Sequence, residues 1–175
     1  MSTVELQIRR CTGADAPALA LVGQATFLET YADVLPGSAI IAHCAKAHSL
    51  ALYTEWLADP SFQHWLAEAP SGAPVGFMVI APPDLPLDGI SAQDAEIKRV
   101  YLLSKFQGKG VGQRFMQEAV GHAAERGATR LLLGVYAHNI AAIGFYERTG
   151  FGKVGTRTFN VGGNLYDDFI MGRAL

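Results

Sequence analysis

Six residues, Gln107-Gly108-Lys109-Gly110-Val111-Gly112, have the types and spacing to bind phosphate through the main chain. Glycine lets a backbone approach an anion with no Cβ in the way. Before them Ala95 to Leu103 is an apolar, β-branched and aromatic run of strand length. After them Val111, Phe115, Ala119 and Ala123 recur every four residues, a helical stripe lasting to Arg126. A strand that turns through glycines into a helix leaves the first helical N–H groups unpaired at the positive end of the dipole, a site for phosphate. A P-loop requires Lys and then Ser or Thr after its second glycine, but Val111 and Gly112 follow Gly110. A dinucleotide fingerprint requires G-x-G-x-x-G, and Gly108, Gly110 and Gly112 are one residue too tight. What remains is the pattern Q/R-x-x-G-x-G/A, met by Gln107, Gly110 and Gly112, or a glycine-rich turn with no ligand.

Other residues could carry chemistry. Glu96 lies six residues before Leu102 on the strand, a distance of about 20 Å at ~3.3 Å per residue. It is a candidate general base, acting through water, or a carboxylate that is solvated at the strand end or paired with Lys98 or Arg99. Asn139, Ala142 and Tyr146 share one helical face through their spacings of three and four. Tyr146 offers a hydroxyl and Asn139 an N-cap. Phe27, Glu29 and Tyr31 mix aromatics with a carboxylate at a helix end, either facing solvent or forming a wall of a substrate pocket. Glu29, Asp33, Asp167 and Asp168 are candidates for meeting a cationic substrate, or Asp167-Asp168 marks where the last strand meets solvent. Histidines 43, 48, 64, 122 and 138, with Cys11 and Cys44, form no metal-ligand spacing, so no metal is expected.

Positioning these residues takes a sheet with crossover helices. A strand is expected over Val4–Arg10, then a helix from an N-cap at Thr12, with Asp15 as its acidic partner, to Tyr31. One helix or two short ones should fill Ser38 to Leu57, anchored by Ile40, Ile41, Cys44 and Leu50. A hairpin is expected over Gln63–Glu68 and Val75–Ala81, with Trp65 and Phe77 in the core. Pro82 to Gln93, with three prolines and no period, reads as a surface loop. Strand Arg130–Val135, helix Asn139–Thr149 and strands Gly152–Val161 and Leu165–Arg173 complete a mixed α/β order. The 175 residues suit a single domain, 1–175. A net charge of -2 gives no electrostatic case for nucleic acid or an anionic membrane. No apolar run is long enough for a membrane span, and MSTVELQIRR lacks a signal core, so a cytoplasmic protein with reduced thiols is expected.

The loop, followed by Asn139, Ala142, Ile143, Phe145, Tyr146, Gly150 and Phe151 in N-x-x-A-I-x-F-Y-x-x-x-G-F, resembles the two cofactor motifs of the GNAT N-acetyltransferases. T-F-L-E-T-Y, E-I-K-R-V-Y, L-G-V-Y and D-D-F-I-M-G-R-A-L are similar to the PaiA-like polyamine N-acetyltransferases of that family. The resemblance implies the GNAT fold, a twisted mixed sheet of about seven strands flanked by helices. It implies acetyl-CoA as co-substrate, its diphosphate on Gln107 to Gln113 and its pantetheine amides on the backbone of Val100, Tyr101 and Leu102. Asn139 and Ala142 would contact the cofactor, Glu96 would act as base, and Tyr146 would protonate the leaving thiolate. Gly134 stands where some members place a base on the next strand. The acceptor would be a small-molecule primary amine, with polyamines the first class. Members often dimerise, so a homodimer is compatible. A non-catalytic acetyl-CoA-binding sensor of the same fold is the alternative.

Overall fold

The computed structural model describes residues 5–175. Among them, seven strands form one sheet: β1 (Gln7–Arg10), β2 (Gln63–Glu68), β3 (Pro74–Ala81), β4 (Asp94–Leu102), β5 (Arg130–Tyr136), β6 (Gly152–Val161) and β7 (Asn164–Ala174). Their order is β1-β2-β3-β4-β5-β7-β6. Strands β4 and β5 run parallel, whereas β1–β2, β5–β7 and β6–β7 are antiparallel, so the sheet is mixed as expected. The helices are α1 (Ala16–Tyr31), α2 (Gly37–Ala47), α3 (Leu50–Ala58), α4 (Val111–Glu125) and α5 (Ile140–Arg148). The expected first strand begins at Gln7, and Val4 lies outside the described residues. By contact density the chain divides into two compact units, Met1–Val79 with Arg99–Phe115, and Ile80–Lys98 with Met116–Leu175.

In the first unit Thr12 and Asp15 form a reciprocal capping box, each side chain accepting from the other's backbone N–H, and a 3-10 turn leads into α1. Arg9 grips Asp15 at 2.9 Å and Glu68 at 2.8 Å, fixing α1's start against the β1–β2 pair. Leu19, Val22, Tyr53, Leu66, Phe77 and Val79 make the core of this unit. The Ser38–Leu57 stretch is two helices, because Ser49 caps the second by accepting from Leu52 N–H at 3.1 Å. That break shifts the helical phase. Ile41 and Leu50, expected as anchors, are exposed, while Tyr53 is buried. Gly23 lets α1 close on His48, whose Nδ1 would lie 2.5 Å from a Cβ there. His48 Nδ1 meets Tyr53 Oη at 2.9 Å, and Arg99 donates to that hydroxyl at 2.8 Å. Burial, seconded by the Arg99 charge, pushes His48 down to about 3, so the ring stays neutral.

In the second unit the apolar run Leu131-Leu132-Leu133 is fully buried, as a central strand covered on both faces requires. Leu85 of the segment 82–93 packs on Leu132 and Ile170, with Leu87 and Ile90 beside it. That segment, expected as a surface loop, therefore covers one face of β5 and β7. Asp94 closes its base, accepting from Ser91 N–H and from both Nε and Nη2 of Arg130.

Candidate functional site

The phosphate-type loop belongs to the first unit. After β4 a 3-10 turn over Ser104–Phe106 precedes Gln107. Gly108 and Gly110 have φ of 71° and 78°, a region where any other L-residue is strained. Those two turns deliver the chain into α4, whose Arg114 N–H returns to the Gly110 carbonyl at 3.0 Å. Among the described residues, no backbone carbonyl accepts from the N–H groups of Gly108 through Gln113. A run of unpaired donors at the positive end of a helix of this length can hold a diphosphate. Gln107 Nε2 donates to the Leu102 carbonyl at 3.0 Å, folding the loop back on the strand end.

Glu29 is part of the same construction. Both its oxygens accept from Ser104, one from the backbone N–H at 2.8 Å and one from the hydroxyl at 2.7 Å. The carboxylate expected to face a substrate thus holds the turn that leads into the loop. Phe27 is 1% exposed and packs against Tyr31 and His43, with centroids 4.6 and 4.3 Å away. It sits in the core, with the half-buried Tyr31 against it.

Glu96 belongs to the second unit and is 3% exposed. Its Oε2 pairs with Lys98 Nζ at 2.8 Å and accepts from Asp84 N–H at 3.1 Å. Its Oε1 receives no hydrogen bond among the described residues. Lys98 also pairs with the exposed Asp84 carboxylate, so one ammonium serves two neighbouring acids. Burial pushes Glu96 above the usual carboxylate range, against the Lys98 hydrogen bond. Asp84 is also desolvated, but Lys98 holds it below that range. Two acids side by side with pKa values driven apart form a proton-handling arrangement. Neither Asp84 nor the bridging role of Lys98 stood out in the sequence, because Asp84 sits in a segment without period.

Two strands further along the sheet, Asp168 on β7 is 4% exposed and accepts from Arg157 Nε on β6 at 3.0 Å. The two are register partners. Burial raises Asp168, and the adjacent guanidinium opposes that rise. Gly134 on β5 makes room for the same guanidinium: a Cβ there would lie 2.5 Å from Arg157 Nη2. Arg157 was not singled out from the sequence, and its only signal was the glycine in an otherwise apolar strand.

In α5, also in the second unit, Asn139 is the N-cap and accepts from Ala142 N–H at 3.2 Å. Tyr146 is buried against Phe145 and Phe151, with ring centroids at 5.4 and 5.9 Å. It is buried more deeply than Phe145.

Residues 28–151 match the model of the acetyltransferase (GNAT) family. An uncharacterized N-acetyltransferase of Mycobacterium tuberculosis is 32% identical over 161 residues, 92% of this chain and 98% of that one. A spermine/spermidine N(1)-acetyltransferase of Bacillus subtilis is 34% identical over 65 residues, 37% of this chain and 43% of its own. In fold, the chain is similar to a PaiA N-acetyltransferase from Thermoplasma acidophilum solved in complex with coenzyme A. The TM-score is 0.80 at 22% identity, covering 98% of this chain and 99% of that one. No described helix is long and apolar enough to cross a membrane. With the family model matched across most of its length, and through residues of both units, the chain belongs to the GNAT acetyltransferases and is an N-acetyltransferase.

Proposed function

We propose that the chain transfers the acetyl group of acetyl-CoA to a primary amine, by direct attack within a ternary complex. The observation that carries this reading is Glu96, a buried carboxylate that burial holds above its usual range and whose Oε1 accepts no hydrogen bond among the described residues. An alkylamine has a pKa of ~10.4 and must lose a proton before it can attack. Glu96 Oε1 takes that proton, directly or through a water, while Lys98 and Asp84 N–H hold Oε2 in place. The diphosphate docks on the N–H groups of Gly108 to Gln113, and the thioester arm lies back along Val100 to Leu102. A backbone N–H of that stretch stabilises the oxyanion. The C–S bond breaks as the tetrahedral intermediate collapses, and Tyr146 gives its proton to the thiolate. Asn139 and Ala142 flank the cofactor at the start of α5.

The Bacillus subtilis relative acts on spermine and spermidine, which makes polyamines one acceptor class to test. Two of the carboxylates proposed to receive a cation are engaged, Glu29 by Ser104 and Asp168 by Arg157. The reading therefore stays with a primary amine.

Acetyl-CoA should raise the Tm while NADH and ATP do not, and thiol should be released in the presence of an amine. No shift with acetyl-CoA refutes the reading, and a shift without thiol release from any amine leaves a binding domain. Tyr146→Phe should lower kcat about 100-fold with little change in acetyl-CoA affinity. An unchanged kcat removes Tyr146 as the acid.

A further inference from the structure

On the charged face of β5, β6 and β7 one cation is only half engaged. Arg157 gives its Nε–H to Asp168, and among the described residues its Nη1 and Nη2 make no hydrogen bond. The guanidinium lies over Gly134, where a Cβ would be 2.5 Å from Nη2 and 2.7 Å from Cζ. Phe159 flanks it at 5.8 Å. The side chain is 26% exposed, so the outer edge is reachable, while Asp168 is spent in fixing the plane.

The place of this fork is set by the register. Glu96 pairs with Leu132, and Gly134 lies two residues further along the same face of β5. Two residues along a strand and one strand across put Gly134 about 8 Å from Glu96, Cα to Cα. The Arg157 charge also reaches Asp84, helping to hold it ionised beside Glu96. The nearby carboxylates are matched by cations, Glu96 and Asp84 by Lys98 and Asp168 by Arg157. Among the described residues, both Nη groups of Arg157 are left over.

We propose that Arg157 anchors a carboxylate of the acceptor, so that the acceptor is an amine carrying a carboxylate, of amino-acid or short-peptide class. The proposal rests on the acetyl-transfer reading above and names its substrate class. Nη1 and Nη2 present two parallel donors that match a carboxylate's two oxygens, a geometry lysine lacks. With the carboxylate held there, the acceptor's amine reaches back toward Glu96 Oε1 past Leu85, which covers Leu132 and Ile170 on the same face. Gly134 is a glycine because the guanidinium occupies the space of its side chain.

The test is a thiol-release panel of amino acids and dipeptides, each beside its carboxamide, with spermidine and putrescine included. The wild type should prefer each acid over its amide by about 10- to 100-fold in kcat/KM, the worth of a charged hydrogen-bonded pair. Arg157→Gln should bring that ratio close to one and leave the acetyl-CoA Tm shift unchanged. Gly134→Ala should do the same, since its Cβ meets only the flexible end of Arg157. A wild-type ratio near one, best turnover with spermidine, no turnover with any carboxylated amine, or equal losses for acid and amide in Arg157→Gln each overturn the anchor. An absent acetyl-CoA shift in the wild type instead overturns the acetyl-transfer reading itself.

Discussion

The glycine loop and the charged face of β4 to β7 offer opposite means of holding a ligand. The loop presents backbone N–H groups whose direction is fixed by two left-handed glycines and a helix start, and none of those donors titrates. The face presents side chains, and its chemistry is set by how far burial and neighbouring charges displace them. Conformation therefore controls the first and pH the second. A backbone donor needs no ion to balance it, whereas each buried acid of the face stands beside a cation, Lys98, Arg130 or Arg157. Perturbations that separate the two should move cofactor binding in one case and the pH profile in the other.

The largest effect expected is on the face. Glu96→Gln should lower kcat about 100-fold at neutral pH, since general-base help of that size is lost. In the wild type kcat/KM should fall as pH drops through the raised pKa of Glu96, because the base must be ionised. Lys98→Met removes the interaction that opposes the rise, so the acid limb should move to higher pH. A limb that stays in place, or a flat profile in both proteins, rejects Glu96 as the titrating base. The same shift has a stability side. A folded-state pKa raised above the unfolded one gives stability that is present below the unfolded value and lost as pH rises through the folded one. Glu96→Gln removes that loss, so the Tm of the variant relative to wild type should climb between pH 4 and pH 8. A Tm of the variant that falls relative to wild type as pH rises contradicts the burial effect.

A smaller effect is expected at the loop. Gly110 has open space around its Cβ position, so Gly110→Ala meets no steric neighbour and only strains the left-handed backbone. About 1 kcal/mol of strain, or a rotation that relieves it, should weaken acetyl-CoA about five- to tenfold. The acid limb of the pH profile should not move. Titration of binding and a pH series separate the two, and a shifted limb would dissolve the distinction between the regions.

The two regions also differed in how far the amino-acid sequence reveals them. Left-handed φ and an uncovered backbone admit almost only glycine, so the loop is written in residue identity. The stripe Val111, Phe115, Ala119 and Ala123 is written in period, and all four are buried. The face is written in neither. Arg157 and Asp168 meet because β6 and β7 pair in one register, and Asp84 reaches Lys98 from a segment whose buried Leu85 follows no period. Pairings across strands depend on register, which no local spacing states. Ile41 and Leu50 illustrate the same limit within helices, since the Ser49 cap resets the phase between them.

Glu29 gives the finest test, because it was expected on the acceptor side and is bound instead to the turn that feeds the glycine loop. Its carboxylate holds Ser104 by two hydrogen bonds at the turn that feeds the loop. Both groups are exposed, so water can replace much of what is lost, and the effect should be small. Glu29→Gln keeps the size and one acceptor oxygen but replaces the other oxygen with a donor. It should raise the KM for acetyl-CoA two- to fivefold, about 0.5–1 kcal/mol, and leave the acceptor KM unchanged. Ser104→Ala should match it, and the double variant should be no worse than the stronger single one, since both remove one interaction. A rise confined to the acceptor KM would place Glu29 with the charged face after all. Additive losses in the double variant would mean that the Glu29–Ser104 contact is not what orders the loop.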